Sequence, residues 1–138
     1  MSCISSVKYS ILLNGNPIGT IYPSRGIKQG DPLSPYLFLL CAEALSSQLL
    51  LAESQGIIKG VATSPNGPRI NHLFFADDSL LFCRATPSEW NRLADILEVY
   101  ERASGQLLNR EKTSLFFSRN TCEEVKNVIL HLAGVPTT

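Results

Sequence analysis

Asp77 and Asp78 stand side by side between two apolar runs, residues 70–75 and 80–83. A tight hairpin between such runs normally uses Asn-Gly or Asp-Gly, because its turn positions need positive φ. Here two carboxylates are expected at the turn instead. Adjacent like charges repel, and each gains from a nearby cation. Two carboxylates at a hairpin tip can hold divalent ions. A pair of ions about 4 Å apart can activate an attacking oxygen and stabilise a leaving one in phosphoryl transfer. Magnesium suits such a site, because it is hard, keeps oxygen ligands and needs only one or two carboxylates beside substrate phosphates. A solvated acidic turn is the alternative reading of the same pair.

Arg25-Gly26-Ile27-Lys28-Gln29-Gly30-Asp31-Pro32 is a second candidate. Its glycines let a backbone approach another chain closely. Gln29 carries both donor and acceptor groups, and Arg25 and Lys28 can meet phosphate. The N-terminus of a following helix would add partial positive charge. The alternative is a loop that only starts that helix. Lys112 is a third candidate. It could reach a triphosphate and pass a proton to pyrophosphate, or be a solvated surface lysine. His72 and His131 lie at no ligand spacing and receive no role.

The elements that must position these residues follow from pattern. Residues 7–22 read as a β-hairpin around Asn14-Gly15-Asn16-Pro17. Residues 31–56 read as a long helix of roughly twenty residues, with Asp31 or Ser34 as cap, Pro32 or Pro35 in the first turn and Gly56 past its end. Leu33, Leu37, Leu40, Cys41, Ala44 and Leu45 mark its apolar spacing. Residues 70–84 form the Asp77–Asp78 hairpin. Its strands are apolar on both faces, which suits a sheet covered on both sides.

Residues 87–118 hold a helix and a strand. Thr86-Pro87-Ser88-Glu89 is a capping box, Trp90, Leu93, Leu97 and Tyr100 form a core stripe, and residues 115–117 are the strand. A second box, Thr121-Cys122-Glu123-Glu124, opens a helix over 121–133. The order predicts an α+β fold. One more strand would complete a split βαβ, ferredoxin-like sheet with helices on one face, preceded by the hairpin.

Composition bounds the function. The chain has 138 residues, 44% of them hydrophobic, which supports one domain with one core. Formal net charge is zero, so the basic surplus of a polynucleotide-binding surface is not visible. The four cysteines, at 3, 41, 83 and 122, show no metal-knuckle or redox spacing and read as free, mostly buried thiols in a reducing compartment. No charged n-region leads an apolar stretch, so secretion is not expected. The apolar run 33–51 contains Glu43, Ser46, Ser47 and Gln48, which argues against a membrane span.

Taken in order, the three candidate segments resemble the reverse transcriptases of non-LTR (LINE-type) retrotransposons, particularly those abundant in plant genomes. The segments are Arg25-Gly26-Ile27-Lys28-Gln29-Gly30-Asp31-Pro32-Leu33-Ser34-Pro35, Phe75-Ala76-Asp77-Asp78 and Gly105-Gln106-Leu107-Leu108-Asn109-Arg110-Glu111-Lys112-Thr113.

The resemblance implies one partial polymerase palm over residues 1–138, acting in RNA-directed DNA synthesis with Mg2+. Asp77 and Asp78 would serve the metals, and Lys112 would sit near the triphosphate. Phe75 and Ala76 would shape the hairpin below the primer end. Gln29 and Gly30 would lie near the nascent base pair and template, and Arg25 would fix the loop or meet phosphate. The partners implied are an RNA template, a DNA primer and deoxynucleoside triphosphates.

The resemblance also implies a further aspartate on an upstream strand. Asp31, Glu43 and Glu53 are the acidic residues before the pair, and none fits that role. The expectation is a palm fragment inactive by itself, or completed by a polymerase portion in trans. A non-catalytic module and an unselected relic are the alternatives. Location is expected to be intracellular, with nuclear and mitochondrial sites left open.

A sheet lacking a central strand exposes an apolar edge. The isolated chain should therefore self-associate, seen as concentration-dependent light scattering. A monodisperse monomer with one sharp thermal transition would contradict this.

Overall fold

The computed structural model describes residues 8–22, 30 and 32–134. The chain divides into two compact units, Met1–Phe38 and Leu39–Thr138.

In the first unit, β1 (Tyr9–Leu13) and β2 (Asn16–Ile21) form an antiparallel ribbon. Asn14 and Gly15 have φ of 51° and 81°, so these two residues alone make the turn. Asn16 and Pro17, expected in the turn, already belong to β2. The register passes from Tyr9↔Ile21 to Ile11↔Ile18, so Gly19 and Thr20 together oppose Ser10. Gly19, at φ 69°, accommodates this bulge. Ile11, Leu12, Leu13, Ile18 and Ile21 are all exposed.

Helix α1 (Ser34–Ser54) begins at Ser34, with Pro35 in its first turn. It ends in a Schellman motif. The Ile57 N–H donates to Ala52 O at 2.8 Å and the Gly56 N–H to Glu53 O at 2.9 Å, with Gly56 at φ 71°. Leu45, Leu49 and Ala52 are its buried residues, at i, i+4 and i+7.

The expected apolar spacing from Leu33 to Leu45 is therefore buried only at its last position, and Leu40 is exposed. The helix is apolar around its circumference, so periodicity could not say which face packs. By length and composition α1 could cross a bilayer. Its second half instead packs with Ile58 and Leu93 in a core joined by Phe74, Leu81, Cys83, Ile96, Leu97 and Tyr100.

The remaining elements are β3 (Val61–Ala62), β4 (Arg69–Ile70), β5 (His72–Phe75), β6 (Asp78–Leu81), α2 (Pro87–Ser104) and α3 (Glu123–Ala133). The class is α+β, as expected. The sheet topology differs from expectation. Strands pair as β1–β2, β3–β4 and β5–β6, giving three separate two-stranded sheets among the described residues.

Residues 115–117 join none of them. Leu115 and Phe117 are half-buried and Phe116 is exposed, which is the alternation of a strand. A strand also needs a partner edge, and none of the three ribbons supplies it.

Helix α2 opens on Thr86, whose Oγ1 accepts from Glu89 N at 3.3 Å, with Pro87 next. Only half of the expected capping box forms. Thr86 N donates to Arg84 O at 2.8 Å, and the Glu89 carboxylate turns elsewhere. That residue is 3% exposed, and its carboxylate accepts from Lys59 N at 3.0 Å, from Arg84 N at 2.9 Å and from Arg84 Nε. It thus joins α2 to the segments before β3 and after β6. The second expected box does not form. Cys122, not Thr121, caps α3, and no side-chain bond is made there. Ile129 and Ala133 are the buried residues of α3, which packs against α2.

Glu89→Ala would leave the Lys59 and Arg84 N–H groups without their acceptor, at a cost of about 2–3 kcal/mol. Urea denaturation should show a lower midpoint. Replacement of the exposed Asp95, whose carboxylate lies 3.6 Å from Arg92, should shift stability by less than about 0.5 kcal/mol.

Candidate active site

The Asp77–Asp78 hairpin is short. His72↔Leu81, Leu73↔Leu80, Phe74↔Ser79 and Phe75↔Asp78 are its pairs, leaving Ala76 and Asp77 as the turn. Both carboxylates were expected in the turn, but Asp78 is the first residue of β6. The positive φ that such a turn needs falls on Ala76, at 51°. The first turn position of a II′ hairpin normally takes Gly. A Cβ in the left-handed region costs about 1–2 kcal/mol.

Side chains alternate across the pleat. Phe74 and Leu81 pack on the core. Leu73, Phe75 and Leu80 share the opposite, exposed face with Asp78, and Phe75 is 82% exposed. The ribbon is thus covered on one side, not on both as expected, because no second layer lies over it among the described residues. Asp77 and Asp78 are exposed. Among the described residues neither carboxylate makes a hydrogen bond or ion pair.

The base of the hairpin is held by polar groups that the sequence did not single out. Asn71, 3% exposed, donates from Nδ2 to Leu49 O at 3.2 Å and to Glu53 Oε2 at 2.8 Å. Glu53 Oε1 accepts from Gly60 N at 3.0 Å. Gly60 O in turn accepts from Arg69 Nη1 at 2.8 Å. A Cβ on Gly60 would collide with the Ile70 carbonyl, so only glycine allows this approach.

The Asn71 carbonyl accepts from Phe82 N at 2.8 Å, which closes the open end of the hairpin. With Nδ2 donating, Asn71 Oδ1 is the acceptor facing His72 Nδ1, so Nδ1 carries the imidazole proton. Burial lowers the His72 pKa, with Glu53 and Glu43 opposing the shift. Burial also pushes the Cys83 thiol up to about 11, with Glu89 adding to it. Cys41 and Cys83 are half-buried, whereas Cys122 is exposed.

The other candidates are placed as follows. Lys112 is exposed, and its backbone N–H donates to Asn109 O at 3.1 Å and to Asn109 Oδ1 at 3.2 Å. The segment after α2 is tied back to that helix, with Tyr100 Oη donating to Gln106 Oε1 at 2.7 Å. No hydrogen bond or ion pair joins Lys112 to the Asp77–Asp78 hairpin among the described residues. Gly30 is exposed with φ 85°. Arg25 and Gln29 lie outside the described residues.

Among the described residues, no three His, Cys, Asp or Glu side chains cluster as a metal site. Asp77 and Asp78 offer only hard oxygen donors, which suits a divalent cation of the magnesium kind. Two carboxylates alone are fewer donors than a closed metal cage needs.

A model of the reverse transcriptase (RNA-dependent DNA polymerase) family matches residues 1–132. The chain belongs to this family. It is 57% identical over 68 residues to an uncharacterized mitochondrial protein of Arabidopsis thaliana, covering 49% of this chain and 56% of that protein.

It is also similar to Pol polyproteins of the type-1 retrotransposable element R2. Identity is 36% over 112 residues with that of Popillia japonica, covering 81% of this chain and 17% of the polyprotein. With that of Nasonia vitripennis it is 41% over 61 residues, covering 44% and 5%. The chain therefore spans about half of the first relative and less than a fifth of the R2 polyproteins. These relatives place it among the reverse transcriptases of non-LTR retrotransposons, as a fragment of that polymerase. No solved structure gives a significant match.

Ala76→Gly should relieve the turn. The expected gain is about 0.5–1 kcal/mol, read as a higher urea midpoint. A loss of stability would argue against positive φ at Ala76.

Proposed function

We propose that this chain is the palm segment of an RNA-directed DNA polymerase and that Asp77 and Asp78 are its metal-holding pair. The observation that carries the reading is the strained, exposed Ala76–Asp77–Asp78 tip on an otherwise anchored hairpin, in a chain of the reverse transcriptase family. Local rules tend to be broken where function needs it.

Divalent ions bound there would activate the primer oxygen and stabilise the leaving pyrophosphate, and magnesium is the cation the donor chemistry favours. Asp77, in the turn, is the more direct ligand. Asp78 approaches from the strand beside it. Phe75 and Ala76 shape the tip below the primer end. Lys112 meets the triphosphate and can hand a proton to the departing pyrophosphate. Arg25, Gln29 and Gly30 line the template and the nascent pair.

RNA template, DNA primer and deoxynucleoside triphosphates are the partners. The sheet would reach palm topology only when further strands of a longer polymerase pair with these ribbons. The 138-residue chain is inactive alone, for want of a third carboxylate. Its mitochondrial relative in Arabidopsis supports an organellar origin in a plant-type element.

Primer extension on an RNA template tests this. The purified chain should extend nothing. The same chain exchanged for the matching segment of an R2-type polymerase should support extension. Asp77→Ala should then cost at least about a hundredfold in rate. Extension that survives Asp77→Ala would end the proposal.

A further inference from the structure

We propose that Asn71 is a positioning residue, whose buried carboxamide sets where the Asp77–Asp78 hairpin stands by tying its base to the last turn of α1 through Glu53. The inference rests on the reading of Asp77 and Asp78 as the working carboxylates. Asn71 sits immediately before β5 and makes two kinds of bond. Its backbone carbonyl takes Phe82 N, which fixes the spacing of the two strands at their open end. Its side chain reaches Leu49 O and Glu53 Oε2, which fixes the ribbon on α1.

Glu53 divides its two oxygens between Asn71 Nδ2 and Gly60 N. One carboxylate thus holds both the hairpin and the chain entering β3. The hairpin has only four residues in each strand. Apolar contact through Phe74 and Leu81 keeps it on the core but leaves sliding open. Directional bonds to a buried amide remove that freedom.

The donor pattern makes the tie testable by exchange of polarity. In Asn71→Asp a second carboxylate faces Glu53, and the bond becomes a repulsion. In Glu53→Gln either orientation of the new amide turns its NH2 toward a donor, Asn71 Nδ2 or Gly60 N. In the double variant the amide introduced at position 53 can donate its NH2 to the carboxylate introduced at position 71. Its carbonyl oxygen then keeps Gly60 N, so the bond to position 53 is rebuilt in reverse, while the Leu49 carbonyl stays without its donor and recovery is partial.

Hydrogen exchange read by mass spectrometry on the dilute full chain should show this. Peptides covering 72–82 should exchange about tenfold faster or more in each single variant, and at least half of that change should be recovered in the double variant. Peptides of α2 and α3 should keep their rates. Should Asn71→Asp not fold, Glu53→Gln and the double variant carry the comparison. The proposal is overturned by unchanged hairpin exchange, by equal loss in α2 and α3, or by a double variant no better than the singles. A hairpin that obeys this pattern but supports no primer extension would sink the polymerase reading and leave the tie standing.

Discussion

Leu49 has no solvent exposure, and the groups around it define the second unit. Its side chain meets Leu45, Ala52, Ile58 and Leu93 in the core. Its carbonyl accepts from Asn71, so the same residue is an apolar centre and a polar anchor. Burying a leucine stabilises by about 1.5–3 kcal/mol but specifies little about direction. The adjacent hydrogen bonds supply direction, because a buried donor must find its acceptor or lose about 1–3 kcal/mol. The second half of α1 is thus the platform on which the hairpin of Asp77 and Asp78 is mounted.

Anchoring at the base contrasts with strain at the tip. Ala76 accepts a left-handed φ where Gly would be easier, and Asp77 and Asp78 stand in solvent. A tip built for stability would use Asn-Gly, as β1–β2 does at Asn14 and Gly15. The two hairpins of one chain therefore obey different rules. The one with carboxylates departs from the stable solution.

The three ribbons leave much apolar surface uncovered. Leu73, Phe75 and Leu80 face outward on β5–β6, and Phe116 is exposed on a segment without a strand partner. Two-stranded ribbons are marginal in water unless one face is packed. The matched region is 17% of the R2 polyprotein of Popillia japonica. Apolar faces of this kind are what added strands or layers would cover.

Sequence by itself determined the local features and the family. Asn14-Gly15 specified a turn, Gly56 specified the end of α1, and Thr86-Pro87 specified the start of α2, because each acts through bonds within a few residues. The Asp77–Asp78 motif and its neighbours marked the reverse transcriptase relationship. Tertiary structure alone decided which face of α1 packs, since the helix is apolar all round. It also turned Glu89 away from its cap toward Lys59 and Arg84. It joined Glu53 to Asn71 across eighteen residues of chain. It left residues 115–117 without a ladder. Those outcomes depend on which distant partner reaches a group first in space, and no local spacing encodes that.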